Sequence, residues 1–447
     1  MNPFRFFATG EKKPLLTDRN EIDRLYKKYR IHVMLAVTVG YGFAYTCRLA
    51  MSVVKKPLID GGIFSAQELG MIGSAIFYGY AFGKFTNGFL ADHANLKKFF
   101  ATGVFVSALL NLAMGWSTLL QIWIILWGLN GWFQGFGAPS GAVALSTWFS
   151  NKERGRFYGI WSTAHSMGEG LTFFGVSALV SLLGWRTGFW GPGVLCVFVA
   201  IGIYIILQDR PRTLGLPSIA DWKNDHPAIT TEAVEKSTLK AQLTILKLPA
   251  IWVLGLASAT MYVTRYAINS WGILYLQEAK GYSLVEAGSI IGLNTLAGII
   301  GCVAYGFISD KLFSAKRPPV TLVFGIIEVI SLFVIFYSPP GHPVILTTMF
   351  VVYGFTLSGL LAALGGLFAI DIAPKRAAGA VMGFIGIFSY IGAGIQDQIS
   401  GYLIGKGSTT INGVHHYDFS QVILFWIGAS IVSMILAATL WRTKVRD

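Results

Sequence analysis

Twelve stretches of this chain are each close to twenty residues long and almost wholly apolar, and that pattern decides what it can fold into. They fall at roughly 31–54, 67–91, 99–118, 120–147, 157–183, 188–207, 250–276, 284–308, 319–338, 343–370, 378–404 and 419–440. A helix rising 1.5 Å per residue needs about twenty residues to cross the hydrocarbon layer, whereas a barrel strand needs about half that number and alternates. Inside lipid only helices and closed barrels satisfy their own backbone groups. The composition agrees: 54% of residues are hydrophobic and 13% charged, against about 25% charged in soluble domains. The sequence therefore predicts an all-α membrane protein with twelve transmembrane helices.

The 35 Lys and Arg against 22 Asp and Glu give a net charge of +13. That balance raises the question of a nucleic-acid partner, and placement answers it. With the amino terminus inside, about 27 of the 35 fall in the tails and loops of one side and about 5 on the other, which is the asymmetry that orients membrane proteins. Both termini are expected on the cytoplasmic side, and no nucleic-acid partner is implied. Cys47, Cys196 and Cys302 all lie in apolar stretches and are read as reduced buried thiols. No metal-ligand spacing, cofactor fingerprint or nucleophile–base pair appears, so neither a metal, a cofactor nor an enzyme activity is expected.

The longest polar stretch between spans is 208–249, which divides them six and six. The expected organisation is a cytoplasmic tail (1–30), a first six-helix bundle (31–207), the linker (208–249), a second bundle (250–441) and a short tail (442–447). The halves repeat. Tyr45-x-x-Arg48 is followed 44 residues after the arginine by Asp92 in GFLAD, and Tyr262-x-x-Arg265 is followed 45 residues later by Asp310 in GFISD. Repeats of this kind imply two bundles related by a pseudo-twofold around a central site, with access alternating as one rocks against the other. Gly88, Asp92, Gly306 and Asp310 belong to these loops and are read as structural or gating groups, the glycines allowing close helix approach.

Ionisable groups near mid-membrane cost at least ~2.5–3.5 kcal/mol each on insertion scales. Arg48 in span 1, Lys84 in span 2, His165 in span 5 and Arg265 in span 7 stand against Glu169 in span 5 and Asp397 in span 11. An arginine stays charged wherever it is placed. Two of them at matching positions would face one cavity and repel across it, and a phosphate fits both because its oxygens match the guanidinium fork. The alternative for either arginine is an intramembrane ion pair with Glu169 or Asp397. Left bare, the two arginines would make the empty carrier costly to close, and so favour compulsory exchange. Tyr41 and Tyr45 lie on the face of Arg48, Tyr80 four residues before Lys84, and Tyr262 three before Arg265. Each can donate to a phosphate or pack between helices. His165 titrates near neutrality, as phosphate does. Glu169, one turn on, can pair with His165, neutralise a cation or carry a proton. Asp397 and Gln396 are candidates for substrate selection or for bonding across helices.

The motifs NEIDRLYKKYR, GYGFAYTCR, YGYAFGKFTNGFLAD, LNGWFQGFG, ERGRFYGIWSTAHSMG, DRPRTLGLPSIADWKND and MYVTRYAINSWGILYL together resemble the organophosphate:phosphate antiporters of the major facilitator superfamily. That group includes bacterial glycerol-3-phosphate and hexose-phosphate transporters and a related sensor, and the likeness runs nearly end to end. It implies that Arg48 and Arg265 grip phosphate and that Lys84, Tyr41, Tyr45, Tyr80, Tyr262 and His165 line the pocket. Four departures are visible. GFGAPSGA stands where GWGxP is usual, and SMGEG replaces NVGG and so adds Glu169. Gly359, Leu360 and Leu361 replace a Tyr-Gly-Pro run, and Asp397 has no lysine after it before Lys406.

The resulting expectation is a secondary transporter exchanging an organic phosphate ester, glycerol-3-phosphate or a hexose phosphate, for inorganic phosphate. Two alternatives share the fold: a sugar-phosphate sensor signalling to a membrane histidine kinase, and a proton-coupled anion symporter using Glu169 and His165.

Overall fold

A computed structural model describes residues 6–225, 247–313, 317–368, 378–411 and 414–442. Twelve helical spans run through it: Arg19–Asp60, Ala66–His93, Leu96–Met114, Leu120–Gln134 continued by Gly137–Trp148, Lys152–Leu183, Thr187–Ile206, Pro249–Lys280, Leu284–Leu312, Arg317–Tyr337, Pro343–Leu367, Ala378–Lys406 and Ser420–Thr439. Nine of these are long and apolar enough to cross a membrane on length and composition. The other three are spans 2, 4 and 11. Span 4 is broken at Gly135–Phe136, while spans 2 and 11 pack along one another and can carry glycine and polar groups away from lipid. Large apolar side chains such as Leu182, Phe198, Ile205, Ile300, Val303 and Val344 point outward, as a bilayer requires and water would not tolerate.

The internal repeat has a local basis. Span 2 opens with a capping box in which Ser65 and Glu68 satisfy each other's backbone amides, and span 8 opens with the same box at Ser283 and Glu286. Before each box the chain turns through a glycine in the left-handed region, Gly62 at φ 62° and Gly281 at φ 76°, a conformation that costs a residue with a Cβ. Two similar helix-turn devices, differing by one residue between glycine and cap, therefore set the far ends of the two halves.

Helix bounds depart from the hydropathy reading where charge interrupts an apolar run. Span 1 was expected over 31–54, yet its helix starts at Arg19 and continues past Lys55 and Lys56 to Asp60. Part of the expected amino-terminal tail is thus helix. The first part of the linker is also built: Pro211–Leu214 and Ile219–Lys223 are short helical turns clamped to the first half. Asp209 accepts from the amides of Leu96 (3.0 Å) and Gly10 (3.2 Å), Trp222 stacks on Tyr26 with ring centres 4.2 Å apart, and Arg30 meets Glu153 at 2.6 Å. Linker residues 226–246, the IAPKR run and the last five residues lie outside the described residues.

The halves meet at the end far from the termini. Lys56 pairs with Glu278, Lys55 with Asp397, Gly70 lies against Gly401, and Gly288 lies against Phe173 and Ser177. A two-stranded hairpin, β1 (Ser408–Ile411) and β2 (Val414–Tyr417), joins spans 11 and 12 at the same end.

Candidate functional site

Arg48 owes its position to a fault in span 1. The helix Arg19–Ala44 gives way at Tyr45, whose amide bonds back to Gly42, and a new helix begins at Thr46. Arg48 sits in the first turn of that second piece, 3% exposed. Its guanidinium lies 3.9 Å from the Tyr80 ring centre, 5.1 Å from Tyr45 and 5.3 Å from Tyr390. Among the described residues none of its three nitrogens has a hydrogen-bond partner. Three aromatic faces stabilise such a cation by roughly 0.5–2 kcal/mol each, but they leave its donors unsatisfied, which is costly in a dry interior. A cavity of about 10 Å3 opens beside it, bounded by Ser52, Gly73, Phe77, Tyr266 and Asp397 among others. That volume is close to the ~10–15 Å3 that holds one water.

Arg265 is arranged differently. Its Nη2 lies 2.6 Å from Glu169 Oε1, and Asn269 Nδ2, one turn along span 7, reaches the other carboxylate oxygen at 3.4 Å. Tyr262 and Tyr266 stand 5.6 and 5.4 Å from its guanidinium. The expectation of two bare guanidiniums is thus corrected: Arg48 is unpaired among the described residues, whereas Arg265 takes the alternative, an ion pair with Glu169. The physical reason is simple: a buried cation and a buried carboxylate within reach are each far more costly alone than together. Glu169 ends the helical turn just before a π-helical segment, Thr172–Val176, which offsets the remainder of span 5.

His165 does not pair with Glu169. Its Nδ1 sits 2.5 Å from the Ser162 carbonyl, and the Ser166 hydroxyl is 3.2 Å from Nε2. The neutral tautomer with the proton on Nδ1 donates to the first and accepts from the second, so one uncharged state satisfies both. The ring faces Tyr45 at 6.0 Å.

The tyrosines converge on a residue that sequence spacing did not find. Tyr390 of span 11 lies 4.5 Å from Tyr80, 5.5 Å from Tyr262 and 5.8 Å from the Lys84 ammonium. It joins Arg48, Lys84 and the second half into one cluster. The available signal was its place seven residues before Asp397, on the same face of span 11. Tyr41 is set further back, stacked on Trp161 at 5.3 Å and edge-on to Tyr45 at 5.3 Å. Lys84 lies close to Gly386 of span 11.

A second charged centre lies deeper toward the far end. Asp397 Oδ1 accepts from Ser270 Oγ (2.6 Å) and Trp271 Nε1 (2.5 Å), with Lys55 Nζ at 3.5 Å. Lys55 also donates to Ser270 (2.8 Å) and sits 3.3 Å from the Trp271 ring centre, fully buried. Lys55 was missed because hydropathy closed span 1 one residue before it. Asp397 Oδ2 has no partner among the described residues and fills the space a Cβ on Gly73 would occupy. Gln396 turns the other way, bonding Ser400 at 2.9 Å beside Trp426, and so belongs to the packing of spans 11 and 12. Glu328 in span 9, also unforeseen, is buried against the Ser430 hydroxyl outside the cluster.

The repeated loops lie apart from these centres. Arg210 donates to the Asp92 carbonyl at 2.5 Å, and Arg317 meets Asp310 at 2.6 Å. Among the described residues nothing lies within 4 Å of where a Cβ on Gly88 or Gly306 would stand, so the close helix approach expected of these glycines is not made in this conformation.

A family model described as Major Facilitator Superfamily matches residues 29–396. The chain is 34% identical over 435 residues to the membrane sensor protein UhpC of Escherichia coli (strain K12), covering 96% of this chain and 97% of that one. It is 31% identical over 441 residues to a glycerol-3-phosphate transporter of Bacillus subtilis (strain 168), covering 96% of each. It is also 32% identical over 416 residues to a probable hexose phosphate transport protein of Chlamydia pneumoniae, covering 90% of each. Among solved structures, an inward-facing, unoccupied bacterial homolog of the human lysosomal transporter Spinster superposes with a TM-score of 0.76 at 17% identity, covering 93% of this chain and 96% of that one.

Proposed function

The chain belongs to the Major Facilitator Superfamily, and from that premise we propose that it is a secondary transporter of small organic phosphates. Its cargo is a phosphate ester of the glycerol-3-phosphate or hexose-phosphate class, with inorganic phosphate as the counter-substrate, moved by alternating access across a bacterial inner membrane with both termini cytoplasmic. The observation that carries the reading is the guanidinium of Arg48, buried among tyrosine rings with no geometric hydrogen-bond partner for any of its nitrogens among the described residues. A phosphate oxygen supplies what that group lacks, and the aromatic cage holds the cation ready for it. Charge balance supports a dianion. Arg48, Arg265 and Lys84 are three cations around Tyr390, and Glu169 together with a phosphate of charge about −2 neutralises them. Relatives named as glycerol-3-phosphate and hexose phosphate transporters give the ester class.

The test is exchange of radiolabelled phosphate in proteoliposomes, with unlabelled glycerol-3-phosphate and hexose phosphates as competitors. Arg48→Lys should lower exchange by about 10- to 150-fold, because an ammonium cannot offer the fork and a charge-assisted hydrogen bond is worth ~1.5–3 kcal/mol. Full exchange with lysine at this position sinks the reading. A second reading, ligand sensing through a membrane histidine kinase, is favoured by the 34% identity to a sensor protein. Specific binding of sugar phosphate with no phosphate movement would select it.

A further inference from the structure

We propose that Glu169 is an internal stand-in for the ligand's anionic group, neutralising Arg265 whenever no anion is held, so that the two halves close around the site and reopen without cargo. The net-flux arm of this inference rests on the transporter reading above, whereas the closure arm stands by itself.

Four observations carry it. The first is that the pair crosses between halves, because Glu169 comes from span 5 and Arg265 from span 7. It therefore contributes only while the halves are together around the site, unlike an ion pair within one bundle. The second is asymmetry. Arg48, at the matching position of the first half, has no carboxylate and is held by aromatic rings, so the acid is not a general requirement for burying this guanidinium. The third is that the contact is incomplete. One Arg265 nitrogen meets one Glu169 oxygen at 2.6 Å, and among the described residues the second oxygen meets Asn269 alone, at 3.4 Å. A phosphate brings three acceptor oxygens and about twice the charge, so it can displace the carboxylate from the fork. The fourth is that the far-end contacts are made, and the space beside Arg48 is about 10 Å3, too small for a phosphate. The far-end contacts, the Glu169–Arg265 pair and this narrow space therefore occur together in one conformation.

Two bare guanidiniums would repel on closure and make return without an anion slow. With Glu169 on Arg265 that barrier falls, and the protein is released from strict one-for-one exchange. The same device gives a sensor a stable ligand-free closed state. Glu169 is therefore a residue that sets coupling, distinct from the group that first engages the phosphate.

The experiment combines closure and flux on the full-length protein. Cysteines at Lys56 and Glu278, in a background lacking Cys47, Cys196 and Cys302, report far-end closure by cross-linking with a short bifunctional thiol reagent. Proteoliposomes loaded with labelled phosphate report net efflux into phosphate-free medium and exchange into phosphate medium. In the otherwise native background, cross-linking without ligand should be high and net efflux should lie within about tenfold of exchange. Glu169→Gln should lower the ligand-free cross-linking yield and the efflux-to-exchange ratio at least tenfold, and inorganic phosphate should restore the yield. Unchanged ligand-free cross-linking in Glu169→Gln, or a lowered yield that phosphate does not restore, overturns the proposal. The double variant Glu169→Gln/Arg265→Gln guards against a misfolded single variant. It should cross-link without ligand like the native chain, and a double variant that stays open also overturns the proposal. Loss of exchange in the native chain would instead remove the transporter reading and leave the cross-linking result to decide the role of Glu169.

Discussion

Replacing Gly401 by alanine should hold the two halves apart at the far end. An alanine Cβ there would meet the Ala66 carbonyl oxygen at 2.6 Å, the Gly70 Cα at 2.8 Å and the Gly70 nitrogen at 3.0 Å. All three are backbone atoms of span 2, so no side-chain rotation relieves the contact, and spans 2 and 11 must separate until ordinary contact of 3.4 Å or more is restored. Two effects compete. Alanine raises helix propensity by about 1 kcal/mol over glycine, while overpacking a tight contact costs about 1–3 kcal/mol and sometimes more. The propensity gain applies to every conformation of span 11, whereas the clash penalises only the closed one, so the clash decides the conformational balance. A bias of 1–3 kcal/mol shifts that balance about 5- to 150-fold. Cross-linking between cysteines at Lys56 and Glu278 measures it directly, and phosphate exchange should fall in parallel. Gly202→Ala is the control, because among the described residues a Cβ there meets nothing within 4 Å. Native cross-linking and exchange in Gly401→Ala would refute the reasoning, as would equal losses in Gly202→Ala.

Arg265→Ala should destabilise the protein by about 3–5 kcal/mol, because it strands a buried carboxylate, and Arg265→Ala/Glu169→Ala should recover most of that loss. Thermal unfolding in detergent reads both. Tyr390→Ala should weaken phosphate binding by about 0.5–2 kcal/mol through loss of one face of the Arg48 cage, with Tyr390→Phe closer to native. Equilibrium binding of labelled phosphate separates the two. Lys55→Met with Asp397→Leu should favour the closed far end by up to about 4 kcal/mol and slow exchange, since well-packed apolar residues often outdo a buried ion pair. Increased cross-linking with reduced turnover is the expected result.

How much of this was legible in the sequence depends on the range of the interaction concerned. The twelve spans, Arg48 and Arg265 follow from hydropathy and from the cost of charge in lipid, both of which are local. The capping boxes at Ser65 and Ser283 carry a local signal that the hydropathy reading passed over, S-x-x-E before an apolar run, and they repeat where the arginines repeat. Lys55 was hidden by the same hydropathy rule that found span 1, because a window ends a span at charge even where a neighbouring helix buries that charge. Glu169 was one of two carboxylates legible as possible partners of the arginines, but the role of Tyr390 and the choice of Glu169 for Arg265 over Arg48 were beyond reach for another reason. Tyr390 meets Tyr80 at a sequence separation of 310 and Glu169 meets Arg265 at one of 96, and no periodicity encodes which helices face each other. Glu328 went unnoticed because one acid scarcely lowers the hydropathy of a span as apolar as Arg317–Tyr337.

The far end is held by two consecutive lysines of span 1, and their different burial says something about how such a seal can open. Lys56 and Glu278 keep 29% and 14% of their side-chain surface, whereas Lys55 and Asp397 keep 0% and 1%. An apolar seal of equal extent would resist opening by about 25 cal/mol for each Å2 exposed, with no compensation from water. A buried ion pair behaves otherwise. Its attraction in the closed state is largely offset by lost hydration, and on opening both charges regain water. The contact is therefore specific in geometry and weak in net energy. Asp397 shows the geometric part, with Oδ1 fixed by Ser270 and Trp271 and Oδ2 set in the notch over Gly73. A transporter needs two conformations of nearly equal free energy joined by a well-defined closed contact, and a carboxylate seated over a glycine provides the contact without deepening one well. The same logic places Glu169 on Arg265: a bond across the halves that fixes where they meet and yields to a better anion.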